Sequence, residues 1–395
     1  MASPSDNGLS RRDFLGNAFL AGTAMALAGS IAWPDLAAAQ TLVPGKEKLI
    51  IRSLRFYDLE TPASLLDSWI TPVNLFFVRN HMSEPTEFDE AAYRLKVSGE
   101  VEHALELSLA DLKKMAPATV TNTLECAGNG RAFYEPHVPG VQWQRGAVGN
   151  ARWSGPRMKE VLEKAGVKSS GKFVAFLGLD EPPAKVPKFV RGVPLDKAMD
   201  ADTLLAMQMN GAPLTKHHGY PVRALSPGWI GAASCKWLAE IRVLDKEFEG
   251  NFMKPGYRMP NNPVTRGGDI MGDTTPITSL NVKSIITRPA EGTRGKAGRP
   301  VQLAGVAWAG VADVTKVEVS SDDGQSWQPA QLGRDQAKYA WRQWTYTWKP
   351  AKAGEYTLKV RASDNSGRVQ PDEPGWNPSG YLWNGIERRK FNVET

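Results

Sequence analysis

Apolar and polar positions divide the chain into regions of different character. Between residues 91 and 101, Tyr93, Leu95 and Val97 alternate with polar residues and stop at Gly99, which predicts a strand. Residues 108–115 predict a short helix with Ser108 as N-cap. Residues 155–165, with Met158, Val161 and Leu162 on one face, predict another. The runs 120–124 and 173–179 have the length of buried strands, and 237–244 alternates again. The segments 195–199 and 204–209 read as short helical or extended pieces around a loop. Together they form an α+β pattern without regular βαβ repeats.

Residues 250–280 carry Pro, Gly and Asn with little periodicity and read as loop, so a domain border is expected near 275. Beyond it the period becomes two. The runs 301–308, 314–319, 341–348 and 356–360 alternate, and turn signals such as Asp322-Asp323-Gly324 separate them. That spacing predicts an antiparallel β-sandwich of immunoglobulin-like type over residues 276–395.

The N-terminus reads as an address. Ser10-Arg11-Arg12-Asp13-Phe14-Leu15 precedes an apolar stretch, and Ala37-Ala38-Ala39 offers a cleavage site. Residues 1–39 therefore read as a twin-arginine signal peptide, and the mature protein as periplasmic. That route carries folded cargo, which suits a protein loaded with a cofactor before export. The apolar stretch is marginal for spanning a bilayer and no other segment is long enough, so stable membrane insertion is not expected.

Length and composition then bound the class. A chain of 395 residues exceeds what one hydrophobic core usually serves, which gives two folded domains, 40–275 and 276–395. The formal charge of +6 is spread along the chain without a basic block, which argues against nucleic acid and favours small anionic substrates. Two cysteines, Cys126 and Cys235, do not make a disulfide framework, although one bond between them is compatible with an oxidising compartment. No Cys-x-x-Cys-His occurs, so no covalent c-type haem is expected in this chain.

Candidate chemistry concentrates in a few runs. Cys126 follows a probable strand and precedes Ala127-Gly128-Asn129-Gly130, where glycines let backbone approach a bulky ligand. Arg131 and Arg145 would favour its thiolate. Taken alone, a lone cysteine is more often a small buried hydrophobe than a ligand. His218 and Arg223, in a turn-rich run, suit a phosphate grip, although paired loop histidines commonly do no more than hydrogen-bond. Arg79 and Arg131 offer forked donors to an oxyanion, where the ordinary alternative is a surface ion pair of little value.

Seven short motifs, taken in order, resemble the sulfite oxidase family, and bacterial periplasmic sulfite dehydrogenases most. They are Phe-Phe-Val-Arg-Asn-His at 76–81, Glu-Cys-Ala-Gly-Asn at 125–129, Gly-Ala at 146–147 with Ala-Arg-Trp at 151–153, Gly-Leu-Asp at 178–180, Met-Asn-Gly at 209–211, His-Gly-Tyr-Pro-Val-Arg at 218–223, and Pro227-Gly228 with Lys236-Trp237-Leu238. The resemblance implies an α+β sulfite oxidase-type domain and a C-terminal domain that mediates a homodimer. It implies one molybdenum-molybdopterin cofactor with Cys126 as the protein's metal ligand. Asn80, His81, Asp180, His218, Arg223, Ser234 and Lys236 fall where the family holds the pterin and its phosphate. Arg79, Arg131, Trp143 and Tyr257 fall where it lines the anion pocket. The implied reaction is the two-electron oxidation of sulfite to sulfate.

Two departures sharpen this expectation. Animal members carry an N-terminal haem domain, whereas here the signal leads directly to the molybdenum domain. Electrons would then leave to an external acceptor, with a c-type cytochrome expected. Animal members also place an arginine after the Trp-Asn of the β domain, and Trp376-Asn377-Pro378-Ser379-Gly380 has none. The competing readings are a sulfoxide reductase of the same superfamily, which generally lacks a second domain, and a periplasmic binding or structural protein, which would hold no molybdenum.

Overall fold

In strand Leu95–Gly99, Leu95 and Val97 are buried while Lys96 points to solvent, as the alternation requires. This strand lies second in a mixed five-stranded sheet ordered Leu105–Leu107, Leu95–Gly99, Leu238–Leu244, Phe173–Gly178, Val190–Pro194. Leu238–Leu244 runs parallel to Leu95–Gly99 and antiparallel to Phe173–Gly178. Helix Leu109–Lys114 begins with a capping box, in which the Ser108 hydroxyl accepts from Asp111 N and the Asp111 carboxylate accepts from Ser108 N. Helix Met158–Ala165 buries Met158, Val161, Leu162 and Ala165, the predicted face, but it starts three residues later than the periodicity suggests. Gly155 and Pro156 belong instead to the preceding strand, where Ala118 and Pro117 are their partners.

The computed structural model describes residues 43–395, so the twin-arginine segment 1–39 lies outside the described residues. Residues 43–47 are turn-like and belong to a separate small unit, while 48–395 form one compact unit. Among the described residues no helix is long and apolar enough to cross a membrane.

A second sheet carries the candidate site. Strands Pro117–Glu125 and Val148–Pro156 pair antiparallel over nine residues, and the short strands Gln208–Met209 and Ala212–Pro213 extend the sheet. The last four residues of the first strand, Asn122 to Glu125, are buried, so the chain emerges at Cys126 from a fixed position.

The C-terminal region forms two sheets. Lys283–Arg288, Val301–Trp308, Arg342–Trp348 and Gln331–Leu332 make an antiparallel one. In the other, Arg294–Lys296, Glu387–Glu394, Gly354–Asp364, Val314–Ser320 and Gln328–Pro329 are antiparallel except for the first pair, which is parallel. Ile286, Leu303 and Trp344 of the first sheet meet Val317, Leu358 and Phe391 of the second in one apolar cluster. Residues 250–280 are not wholly loop. Arg258–Pro260 and Thr274–Pro276 form an antiparallel pair, anchored where Arg258 Nε donates to Thr274 Oγ1 at 2.8 Å.

Candidate active site

Cys126 stands at the start of a loop that is fixed from several sides. Its own N–H donates to Ala147 O at 2.9 Å, Asn129 N donates to Cys126 O at 2.9 Å, and Leu382 N from the C-terminal region donates to Ala127 O at 2.8 Å. The flanking polar residues of the motif are buried and paired. Glu125 Oε1 accepts from Asn129 Nδ2 at 2.9 Å and from Lys283 Nζ at 3.0 Å, and Glu125 Oε2 accepts from Trp308 Nε1 at 2.8 Å.

The glycines of this loop do something other than admit a ligand. A Cβ on Gly128 would lie 2.6 Å from Arg131 Nη1, and one on Gly130 would lie 2.5 Å from the Trp383 ring. The space a side chain would need is filled by the protein's own arginine and tryptophan. Arg131 is held there, with Nε donating to Ser379 O and Nη1 to Val141 O, each at 3.1 Å. Its guanidinium also lies 5.5 Å from the Tyr381 ring centre.

Cys126 lines a cavity that is partly open to solvent. The structure brings Arg79, Asn80, His81, Asp180, His218, Arg223, Ser234, Lys236 and Tyr257 to the same walls. Arg131 and Trp143 are not among the lining residues. Arg131 still acts on the Cys126 thiol electrostatically, whereas Trp143 is fully buried among Phe76, Phe77, Leu124 and Trp153. Cys235 also lines the cavity, but both cysteines are free thiols, so no disulfide joins them.

The electrostatics separate two ends. At one end burial pushes the Cys126 thiol up, while Arg79 and Arg131 pull it down. Arg79 forms an ion pair with buried Asp58 at 3.3 Å. Burial alone would depress Arg79, but Asp58 and then the Tyr257 phenol more than offset it and keep it charged. His81 stacks on Phe189 at 3.9 Å between ring centres, and its Nε2 is hydrogen-bonded to the Tyr257 hydroxyl. Burial, followed by Arg79 and Arg191, lowers His81 well below its ordinary value, so its ring is neutral.

At the other end Arg223, Lys236, His217 and His218 converge. Arg223 Nη2 donates to Ser234 O at 2.7 Å and Nη1 to His218 O at 3.1 Å, leaving Nε buried without a partner. Burial pushes Arg223 down to about 10. Lys236 Nζ donates to His217 O at 2.8 Å and to Asn80 Oδ1, and burial brings it to about 7. His217 faces Glu84 at 2.9 Å, and Asp180 is pushed up to about 6 by burial.

Sequence reasoning missed four contributors. Asp58, Glu84, Arg191 and Tyr381 stand in none of the seven motifs, and each belongs to the site only through folding. Arg191 carried a faint signal, since its strand places a charged residue in an otherwise apolar run.

Residues 81–252 match the oxidoreductase molybdopterin binding domain, and residues 274–394 match the Mo-co oxidoreductase dimerisation domain. The cavity, its cysteine and these matches define a molybdopterin-dependent oxidoreductase. The chain is 39% identical over 362 residues to mitochondrial sulfite oxidase of Rattus norvegicus, covering 87% of this chain and 66% of that one. It is 37% identical to sulfite oxidase of Gallus gallus, covering 86% of this chain and 77% of that one. Its fold is similar to the sulfane dehydrogenase SoxCD from Paracoccus pantotrophus, with a TM-score of 0.76, 28% identity, and coverage of 93% of this chain and 95% of that one. The chain belongs to the sulfite oxidase family. It spans about two thirds of the length of the rat relative.

The residues present fit a molybdopterin. A phosphate terminus requires buried donors without carboxylate neutralisation, and Arg223 offers an orphaned Nε beside Lys236. A metal held by soft ligands requires a thiolate, and Cys126 offers a free thiol on the cavity wall; burial holds its pKa up against the pull of Arg79 and Arg131, so metal binding would displace the proton.

Proposed function

We propose that this chain is a sulfite dehydrogenase, converting sulfite and water to sulfate, two protons and two electrons. The observation that carries this reading is the field of Arg79 and Arg131 at a cavity cysteine in a chain of this family. Bound molybdopterin would supply the two-electron acceptor. Cys126 would ligate its metal, and Arg223, Lys236, His218, Asn80, Asp180 and Ser234 would hold its pterin and phosphate.

The protein's own part is anion binding and proton placement. Arg79 and Arg131 bind the substrate dianion through forked donors and balance its charge beside the thiolate. Burial keeps Tyr257 protonated, since its pKa lies above the ordinary phenol range. With its proton on Nε2, neutral His81 donates to the Tyr257 oxygen and leaves the phenolic proton for a substrate oxygen. Trp143 packs with the cavity-lining Phe76, Phe77 and Leu124 and acts through shape.

The same reading includes export to the periplasm by the twin-arginine route, a homodimer formed through an immunoglobulin-like C-terminal sandwich, no haem in this chain, and an external c-type cytochrome as electron acceptor. The likeness to a sulfane dehydrogenase supports a second reading, in which the same centre oxidises a sulfane sulfur. Purified molybdenum-loaded enzyme is assayed with sulfite and with a sulfane donor, using cytochrome c and then ferricyanide as acceptors. Sulfite-dependent reduction of both acceptors is expected. Turnover of the sulfane donor alone would replace the first reading with the second, and turnover of neither would end both.

A further inference from the structure

Arg191 lies in strand Val190–Pro194 and is only 2% exposed. Its Nη1 donates to Phe252 O, and its Nε is buried without a partner. Among the described residues, no carboxylate stands within ion-pair distance of it. A buried guanidinium without a counter-charge costs several kcal/mol unless an anion compensates it. Buried Arg389 has such compensation in Glu387 at 2.9 Å, whereas Arg191, like Arg223 at the far end of the cavity, has none.

Phe189, two residues earlier in sequence, lines the cavity and stacks on His81. Arg191 is not itself among the lining residues and stands behind them. Its guanidinium carbon lies 4.8 Å from the ring centre of Tyr257, which also lines the cavity. Tyr257 in turn stacks on Tyr381 at 5.2 Å, and Tyr381 is 5.5 Å from the Arg131 guanidinium. Arg191 and Arg131 are thus linked through two tyrosine rings.

Charge explains what this arrangement does. A sulfur oxyanion brings two negative charges next to a thiolate. Arg79 is partly neutralised by Asp58, and Arg131 has two of its donor groups committed to Ser379 and Val141 carbonyls. We propose that Arg191 is a third cation of the anion site that acts from behind the Tyr257 ring, adding positive field where a tetrahedral or pyramidal sulfur oxyanion binds and fixing the ring against it. This deepens the sulfite dehydrogenase reading and rests on it for the identity of the reacting anion.

The test uses holoenzyme carrying Arg191→Met or Arg191→Lys, with sulfite kinetics and sulfate binding by calorimetry. The loss of a nearby buried charge and of the contact that fixes Tyr257 is expected to raise the sulfite KM and the sulfate Kd of Arg191→Met roughly three- to thirtyfold. kcat should change much less, and Arg191→Lys should recover part of the loss. A purely structural arginine would instead lower thermal stability and kcat while leaving sulfate Kd unchanged in the folded fraction, which would overturn the proposal. If Arg191→Met does not fold, the Arg191→Lys enzyme decides, because a sulfate Kd equal to wild type would also overturn it. If wild type binds sulfate in an Arg191-dependent way yet does not oxidise sulfite, the anion site stands and the substrate assignment falls. If wild type binds no sulfate, the anion site falls.

Discussion

Lys283 of the C-terminal region places its ammonium 3.0 Å from the carboxylate of Glu125, the residue immediately before Cys126. Both side chains are buried, and Lys283 Nζ also donates to Asn129 O at 3.2 Å. The motif that holds the candidate metal ligand is therefore secured from the sheet that follows it in sequence. Lys283→Met leaves a buried carboxylate without its cation, which costs about 3–5 kcal/mol by the usual reckoning for broken buried pairs. A lower melting temperature and reduced molybdenum content are expected, measured by calorimetry and metal analysis. The double variant Glu125→Gln/Lys283→Met should be more stable than Lys283→Met alone, because no uncompensated charge remains. Equal stability of the two would show that the pair does not hold the loop.

Cys126→Ser tests the metal ligand directly. A hydroxyl is a harder and far less acidic donor than a thiol, so it does not replace a soft ligand. Turnover is expected to fall to background while the melting temperature of the cofactor-free protein changes little, since the substitution is nearly isosteric at a half-buried position. Pterin content, measured by fluorescence of the released cofactor, should persist, because the cation cluster at the far end of the cavity is untouched.

The two halves of the chain were legible in the sequence to different degrees, and particular strands show why. Val301–Trp308 is legible at its observed bounds because apolar residues run its whole length with only Gln302 and Gly305 between them. Val148–Pro156 was missed because Gly149, Asn150, Ser154 and Gly155 are weak strand formers, and the strand exists through nine residues of pairing with Pro117–Glu125. Glu387–Glu394 alternates buried and exposed without exception, but two of its inward positions are Glu387 and Arg389. They satisfy each other at 2.9 Å, and Arg145 adds a second cation to Glu387 at 2.8 Å, so a hydropathy pattern could not reveal the strand. In the site, motif residues were legible because their types match the chemistry. Asp58 and Arg191 were not, since an ion pair or an unpaired buried charge is defined only once the chain has folded.

Gly128→Ala probes how Arg131 is positioned. The new methyl carbon would approach the guanidinium to 2.6 Å, closer than van der Waals contact allows. The guanidinium has little room to retreat, because Gly140 and Gly380 also pack against the Arg131 side chain and two carbonyls hold its donors. Arg131 must therefore shift, which weakens one forked contact to the anion, worth roughly tenfold in binding. Sulfite KM is expected to rise by that order with molybdenum content preserved. An unchanged KM would show that Arg131 does not touch the substrate.

Lys236 and Asp180 give the cofactor-free protein a defined pH dependence. Burial lowers Lys236 to about 7 against an ordinary value of 10.5, so between those pH values the unfolded chain binds the extra proton and the folded one does not. Stability gained from this group therefore rises with pH from about 7 towards 10.5. Asp180 is raised by burial to about 6 from 3.8, so here the folded state holds the extra proton, and stability falls as pH rises from 3.8 to about 6. For these two groups, stability is lowest between about 6 and 7, where a charged lysine and an ionised aspartate are both buried. Melting temperatures of cofactor-free protein are expected to increase from pH 7 to pH 9, and Lys236→Met should remove that increase. A phosphate held beside Lys236 favours its charged form, so cofactor-loaded protein should show a flatter profile over the same range. A slope that survives Lys236→Met would assign it to another group.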